Sequence, residues 1–285
     1  MFNSERIVKT LLFLASAVVI LVTAGMVYSL TSGAIPVFKE FGLRFIISSE
    51  WNPTEGREVY GALPFIIGTL LTSLIAIILC FPLAFSTSLF IGEYYRGTRM
   101  ASITGTMVDM LAGIPSIVYG LWGFYVLRPL IVALGWSAQG FSIFTAGVVL
   151  AIMIIPYATS ITTEIIKMVS NDLKEAAYSL GATRREVIFN VIVPNARSGI
   201  FTSYILAFGR ALGETMAVTM LIGNSNMIPK GIFDSGNTMA SVIANQFGEA
   251  DGLKLSALIA IALLLFVITG IINGIGKLIV KKYSV

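Results

Sequence analysis

Residues 167–197 read KMVSNDLKEAAYSLGATRREVIFNVIVPNAR, and this charged stretch separates two long segments that are almost entirely apolar. Asn171 or Asp172 can cap a helix that begins near Leu173, because short polar side chains accept hydrogen bonds from the free N–H groups of a first turn. Gly181 follows, and glycine suits the left-handed turn that ends a helix. The stretch therefore predicts a helix followed by a glycine turn.

A second helix is predicted after the turn. Thr183 and Glu186 have the T-x-x-E spacing of a capping box. The apolar residues that follow form one stripe, namely Val187, Ile188, Val191 and Ile192. Pro194 is expected to break or bend the chain before the next apolar segment. Such a helix pair is either a connector that packs on the protein's own helices or on lipid headgroups, or a docking element for a cytoplasmic partner.

The composition around this stretch is that of a membrane protein. Of 285 residues, 56% are hydrophobic and 12% charged, and the mean hydropathy is +0.88, whereas soluble domains carry about a quarter charged residues. The sequence has no histidine and one cysteine, Cys80. A Ser-His-Asp triad, a metal site built on His/Cys clusters and an intrachain disulfide are therefore excluded, and no metal site is expected.

Charge-free or nearly charge-free stretches of about 20 residues or more predict membrane-spanning helices. Six such spans are expected, at about 8–30, 62–91, 101–127, 141–166, 198–222 and 255–280. The first could be a cleaved signal peptide, but its apolar run is longer than usual and no clear cleavage site follows, which favours a retained helix. The predicted fold is thus an all-α integral membrane protein with six transmembrane helices.

The lysines and arginines predict the orientation, since cytoplasmic loops carry an excess of both. With the N-terminus inside, twelve of the 19 lie in inner segments and six in outer loops. The inner ones are Arg6, Lys9, Arg96, Arg99, Lys167, Lys174, Arg184, Arg185, Arg197, Lys277, Lys281 and Lys282. Both termini and the loop at 167–197 are therefore expected in the cytoplasm. The net charge of +4 is explained by topology and gives no support to nucleic-acid binding.

Three charged residues lie within the predicted spans. Arg210 and Glu214 are four residues apart in span five, which would put them on one helix face. They either form a structural ion pair or line a substrate route, where the arginine fork suits an oxyanion such as phosphate and Glu214 holds Arg210 between anions. Asp109 in span three either caps a helix before Gly113 or lines the same route.

Two glycines lie beside the charges of span five, since Gly209 directly precedes Arg210 and Gly213 directly precedes Glu214. Gly209 and Gly213 form a G-x-x-x-G motif, which allows a neighbouring helix to approach closely.

The loop at 167–197 also resembles the EAA loop of ABC importer permeases. The matching residues are Glu175, Ala176, Ala177, Gly181, Val191, Val193 and Pro194; family members often show Ile and Leu where the two valines stand. The resemblance implies a type I importer (MetI-like) permease fold. It also implies that the helix at about 171–182 is a coupling helix that sits in a groove of an ATP-binding cassette subunit.

Further patches are similar to permease subunits of the PstC type from phosphate ABC importers. They are YGALPFIIGTLLTS (60–73), AGIPSIVYGLWG (112–123), GRALGETMAV (209–218), WNP (51–53) and ASVIANQFGEA (240–250). This resemblance implies that Arg210 and Glu214 are functional, and it supplies no role for Asp109. It further implies one permease domain over 1–285 with its core at 60–280 and its coupling loop at 167–197.

The same resemblance implies partners and a location. The partners are a second homologous permease of the PstA type, two ATP-binding cassette subunits that bind ATP and Mg, and an extracytoplasmic phosphate-binding protein. The chain itself would be no enzyme, take no cofactor and lie in the cytoplasmic (inner) membrane as a multi-pass protein. The alternatives are a permease for another oxyanion, such as sulfate or molybdate, and an ion-coupled secondary carrier or channel that needs no ATPase.

Overall fold

The computed structural model of the chain describes residues 2–54 and 56–283. Within those ranges the backbone is helical apart from turns and connecting segments, and an isolated antiparallel bridge joins Asn52 to Val59. The all-α prediction is therefore confirmed. Met1, Glu55, Ser284 and Val285 lie outside the described residues, so the cytoplasmic position of both chain ends stays a prediction, as do the outer limits of the 1–285 domain.

The described residues form thirteen α-helices, several of them short. In chain order they are α1 (Phe2–Phe41), α2 (Arg44–Ile47), α3 (Leu63–Leu89), α4 (Arg99–Ala112), α5 (Ser116–Trp122), α6 (Arg128–Ala133), α7 (Ile143–Lys167), α8 (Asn171–Ser179), α9 (Arg184–Glu186), α10 (Val193–Gly213), α11 (Met216–Thr219), α12 (Met239–Gln246) and α13 (Gly252–Tyr283). Turns of π-helix follow α3 (Phe90–Tyr94), α5 (Gly123–Leu127) and α9 (Val187–Ile192), and a 3-10 turn (Phe247–Glu249) follows α12.

Five helical segments among the described residues are long and apolar enough to cross a membrane. They are Glu5–Phe41, Leu63–Tyr94, Ser116–Ala133, Ile143–Lys167 and Gly252–Val280. Predicted spans one, two, four and six each correspond to one of these continuous segments. The charged α10 is not among them, so the count of six spans stays a prediction.

Two predicted spans are interrupted. The stretch 101–127 is not one helix: α4 ends at Ala112, and the backbone is non-helical at Pro115 before α5 begins. A residue before proline is disfavoured in the α conformation, so Gly113-Ile114-Pro115 is a natural stop. The stretch 198–222 is also divided, because α10 ends at Gly213 and Glu214 adopts an extended conformation (φ −68°, ψ 130°).

The main core surrounds α7, which packs against α3, α4 and α10. Small and hydroxyl residues allow the close approach: a Cβ on Gly147 would lie 2.8 Å from Ile75 Cγ2, and the Thr162 and Ser203 hydroxyls of α7 and α10 are 2.6 Å apart. In an apolar solvent such packing and interhelical hydrogen bonds, rather than hydrophobic burial, hold helices together. This core fixes α10 and the loop before it.

A second core lies where α1 ends and α3, α12 and α13 begin. Trp51 stacks edge-on against Tyr60 and Phe65, at ring distances of 4.9 and 5.0 Å, and its indole Nε1 donates a hydrogen bond to Gln246. These contacts tie the two longest predicted outer segments to each other.

Candidate coupling surface and substrate route

The helix predicted to couple to a partner is α8. Its cap is Ser170, one residue before Asn171 and two before Asp172, the two predicted caps, and the Ser170 hydroxyl accepts a hydrogen bond from the Asp172 N–H. The helix ends as predicted: Gly181 has φ +83°, and Ala182 N–H donates back to the Ala177 carbonyl. A left-handed residue at this place returns the chain towards the protein.

The predicted capping box is present at the start of the next helix. The Thr183 N–H and hydroxyl both donate to the Glu186 carboxylate, at 2.7 and 2.8 Å, and the Glu186 N–H donates to the Thr183 hydroxyl. These donors favour the ionised carboxylate and lower the pKa of Glu186 below its usual value. The apolar stripe is also confirmed, since Val187, Ile188 and Ile192 are buried.

Pro194 does not break the helix, contrary to one of the two expectations; a bend at Pro194 stays a prediction. The helix runs from Arg184 through the π turn Val187–Ile192 into α10, and Pro194 lies in the first turn of α10. A proline is tolerated there because the wider π turn precedes it and the missing N–H would have little or no intrahelical partner. The end of the loop at 167–197 therefore continues directly into α10.

Of the predicted coupling residues, Glu175 and Ala176 lie on the outer face of α8 and Gly181 lies just beyond its end, whereas Ala177 packs against the main core. Glu175, Ala176 and Gly181 are exposed and Ala177 is half-buried. Apolar side chains are exposed around them, with Leu180 at 89% and Leu173 at 48%. An exposed apolar patch of this kind on a polar helix is typical of a protein interface.

The opposite face of α8 holds a contact that sequence patterns did not indicate. Lys174 is buried and forms an ion pair with Glu93 at the end of span two. Arg184 donates to the carbonyl oxygens of Glu93 and Tyr94. The partners lie 81 to 91 residues apart, so no local spacing rule could bring them together.

Arg210 and Glu214 are close in sequence but do not pair. Arg210 is exposed in the last turn of α10, and its guanidinium lies 6.0 Å from the centre of the Tyr157 ring. Within residues 2–54 and 56–283, no carboxylate lies within 4 Å of Arg210. The expectation of a shared helix face is wrong, because the helix ends at Gly213 and turns Glu214 out of register.

The G-x-x-x-G prediction is half right. A Cβ on Gly209 would lie 3.0 Å from the Asn273 Oδ1 atom of α13, so this glycine permits a close helix contact. Gly213 has no atom within 4 Å of its Cβ position. Gly213 instead marks the end of α10.

Asp109 lies apart from Arg210 and Glu214. It is exposed on α4 and lines a cavity of about 150 Å³ with residues of α7 that include Thr159 and Thr163. The end of α4 is closed by backbone bonds, since the Gly113 N–H donates to the Asp109 and Met110 carbonyls. Neither a side-chain cap nor a joint site with Arg210 is seen among the described residues.

The two interrupted spans lie against each other. A Cβ on Gly120 of α5 would lie 3.0 Å from the Ala217 Cα of α11 and 2.8 Å from the Met220 Sδ. Gly113, Pro115, Gly213 and Met216, at the two breaks, are all exposed. Irregular backbone at membrane depth is tolerated only where protein buries it or where it lines a water-filled cavity. Exposure of these breaks to lipid would therefore be unfavourable, so the surface that carries them is expected to face protein or a water-filled cavity.

This architecture is that of a membrane permease. The sequence profile described as "Binding-protein-dependent transport system inner membrane component" matches residues 84–285, and the chain belongs to this family. It is a multi-pass membrane protein with the MetI-like fold. The inward-facing MetNI methionine ABC transporter superposes with a TM-score of 0.62 at 15% identity, over 76% of this chain and 94% of that one.

Curated relatives are more similar in sequence. "Phosphate transport system permease protein PstC" of Haemophilus influenzae is 40% identical and covers 98% of this chain and 93% of its own. The protein of the same name in Pasteurella multocida is 39% identical, with 93% and 88% covered. A probable PstC protein of Methanocaldococcus jannaschii is 35% identical, with 88% and 85% covered.

Proposed function

We propose that this chain is a transmembrane subunit of an ATP-driven importer that moves inorganic phosphate across the cytoplasmic membrane. It forms one half of the translocation pathway, and a second homologous permease of the PstA type forms the other. Two ATP-binding cassette subunits bind ATP and Mg²⁺ and hydrolyse the nucleotide, and an extracytoplasmic binding protein delivers phosphate. The chain itself takes no cofactor and catalyses no reaction.

The observation that carries this proposal is the exposed Arg210 beside the break in span five. A charged residue at the centre of a membrane helix costs about 2.5–3.5 kcal/mol on insertion scales, so it requires a polar surrounding. With no carboxylate within 4 Å of it in the described chain, its planar fork is available to an oxyanion. The names of the relatives at 39% and 40% identity favour phosphate as that anion.

The residues at the break have separate roles in the proposal. Arg210 makes a transient contact with the passing phosphate, and the Tyr157 ring beneath it restricts the position of the guanidinium. Glu214, half-buried just beyond the end of α10, keeps the route polar and repels an anion that would otherwise stay bound. Asp109, which is exposed on another helix, lines the inner part of the route.

Coupling to ATP takes place at α8. Closure of the two ATPase subunits displaces α8 through Glu175, Ala176 and the apolar side chains around them. The displacement reorients the spans, so that the route opens alternately to either side. The continuous helix from Arg184 to Gly213 connects this movement to Arg210.

The test is phosphate uptake by the four-subunit complex in vesicles with internal ATP and external binding protein. Labelled phosphate should enter and labelled sulfate should not. Arg210→Ala should reduce phosphate uptake by about tenfold or more, since it removes a charge-assisted contact in a low-dielectric site. Arg210→Lys should retain part of the uptake, because it preserves the charge but not the fork.

Arg6→Ala is the matched control, since it removes the same charge from the exposed start of α1 and should leave uptake unchanged. Full uptake by Arg210→Ala would refute the role of that residue. Uptake of sulfate in place of phosphate would identify another oxyanion importer. Uptake without ATPase subunits would identify a secondary carrier instead.

A further inference from the structure

The inner end of span two is joined to α8 by a buried ion pair. The Lys174 Nζ atom lies 2.6 Å from the Glu93 Oε2 atom, and the two side chains are only 7% and 10% exposed. A second ion pair joins Lys167 to Glu164 within one helix turn, with side chains 35% and 70% exposed. An exposed pair of that kind contributes little, whereas a buried pair leaves an uncompensated charge when one partner is lost.

A second cation strengthens the same junction. Arg184 donates from Nη2 to the carbonyl oxygens of Glu93 (3.0 Å) and Tyr94, and its guanidinium lies 4.5 Å from the centre of the Tyr94 ring. Both carbonyls belong to the π turn that ends span two. The last carbonyls of a helix lack intrahelical partners and carry the negative end of the helix dipole. A cation there is stabilised both by hydrogen bonds to these carbonyls and by the dipole.

The end of span two is also held on its other side. A Cβ on Gly92 would lie 3.1 Å from Ile166 Cγ2 and 3.3 Å from the Thr163 carbonyl oxygen, so the π turn lies directly against α7. Glu93 is therefore in a segment that contacts both the central helix and α8. A displacement of α8 must either move this segment or break the ion pair.

The two faces of α8 differ in a way that suits transmission. Its outer face exposes Glu175 and Leu173, while Lys174, between them in sequence, is buried against span two. A partner that contacts the outer face does not contact Lys174, so the ion pair with Glu93 can form while the partner is bound. The burial of one lysine on a helix that is otherwise mostly exposed requires a specific partner, since lysine is rarely buried unless paired.

We propose that Glu93 and Lys174 are positioning residues that transmit the displacement of α8 to span two, with Arg184 fixing the backbone of the junction. This inference rests on the proposed function, because it assigns a path to the coupling between ATPase and permease. The displacement of α8 then reaches the spans through two connections, namely the ion pair to span two and the continuous helix into span five. Without the ion pair, α8 still binds the ATPase but moves without span two.

The experiment compares Glu93→Gln, Lys174→Gln and the double variant in the reconstituted complex. Glu5→Gln is the control, since it removes one carboxylate charge from an exposed position of α1. The single variants should keep the ATPase subunits bound but transport about tenfold less phosphate per ATP hydrolysed, because each breaks the ion pair that connects α8 to span two. The double variant should lose no more coupling than either single one, because the first substitution already breaks the contact through which both residues act.

A second measurement distinguishes a loss of transmission from a loss of folding, and it does not require transport of phosphate. Hydrogen–deuterium exchange is followed with and without a non-hydrolysable ATP analogue on the ATPase subunits. In the unmodified complex the analogue should alter exchange in both 171–182 and 88–95. In Glu93→Gln the change should be confined to 171–182.

Two results would overturn the inference. One is an unchanged ratio of phosphate to ATP in both single variants, and the other is an analogue response in 88–95 that persists in Glu93→Gln. Additive losses in the double variant would likewise show that the residues act independently. If the unmodified complex moves no phosphate, the proposed function fails, and the exchange experiment still decides on Glu93 and Lys174.

Discussion

Gly181 follows α8, the proposed coupling helix, and has φ +83°, a conformation that costs other residues about 1–2 kcal/mol. Its Cβ position has no atom within 4 Å, so Gly181→Ala introduces backbone strain without a clash. We expect residues 171–186 to open about 5–30 times more readily, the factor that such an energy represents. Local hydrogen–deuterium exchange of this segment measures the change.

Gly105→Ala provides the control for that variant. Gly105 lies inside α4 with ordinary backbone angles and equally open space, where alanine favours the helix by up to about 1 kcal/mol. Exchange in 171–186 should be unaffected by it. Equal exchange in the two variants would contradict the strain argument.

At the level of single residues, the sequence predicted contacts within one helical turn and did not predict contacts between distant residues. Gly181 and the Thr183–Glu186 box were predictable because a cap depends on residues within one turn. The pair Lys174–Glu93 was not, because its members look like surface charges until the fold buries them. Arg210 and Glu214 were found as charges in an apolar span, but their relation was wrong because the i,i+4 rule assumes an unbroken helix.

The contact between the two interrupted spans depends on one glycine. Gly120 of α5 faces the Ala217 Cα of α11 at 3.0 Å from its Cβ position, and backbone cannot move aside as a flexible side chain can. Gly120→Leu should therefore cost about 1–3 kcal/mol, as overpacking does. The expected result is a lower Tm of the purified complex, together with reduced phosphate uptake.

The same side chain placed at Gly113 is the control, because the nearest atom to its Cβ position is a carbonyl of its own helix at 3.5 Å. Gly113→Leu should leave the Tm close to that of the unmodified protein. Should both variants have the same Tm, the contact between α5 and α11 would not be a stabilising one.

The sequence predicted the lengths of the apolar helices better than it predicted where a span is interrupted. Spans two, four and six were predicted to within a few residues, because charged or polar residues bound each apolar run. The interruption of span three had a signal in Pro115, since proline disfavours helix in the residue before it. The interruption at Glu214–Thr215 has no such marker, and tertiary contacts of α11 with α5 and α12 accompany it.

At the scale of the whole molecule, function depends on the arrangement of surfaces around α7. The central helix is held by α3 and α10, and both of these reach the loop that contains α8: α3 through Glu93, and α10 by direct continuation. The breaks in spans three and five lie on a surface left exposed in the single chain. Such a surface becomes stable in a bilayer only when a partner encloses it around a polar space.

The orientation of the chain in the membrane is predicted from the distribution of lysine and arginine between its loops. Leu180 and Met227, 89% and 73% exposed, lie on either side of the α10–α11 segment. In a Cys80→Ala background, which removes the single cysteine, Met227→Cys should react with a membrane-impermeant maleimide on intact cells. Leu180→Cys should react only after permeabilisation, because charge asymmetry places its loop inside.

A second inner probe guards against coverage of α8 by the ATPase. Tyr95→Cys, at a position 41% exposed in the short turn after span two, should behave as Leu180→Cys does. Labelling of Leu180→Cys and Tyr95→Cys but not Met227→Cys on intact cells would reverse the orientation, and α8 could then not meet cytoplasmic ATP. Labelling of all three on one side would mean that α10 and α11 do not cross the membrane. Arg210 would then lie outside the bilayer, and the substrate route argued from its charge would fail with it.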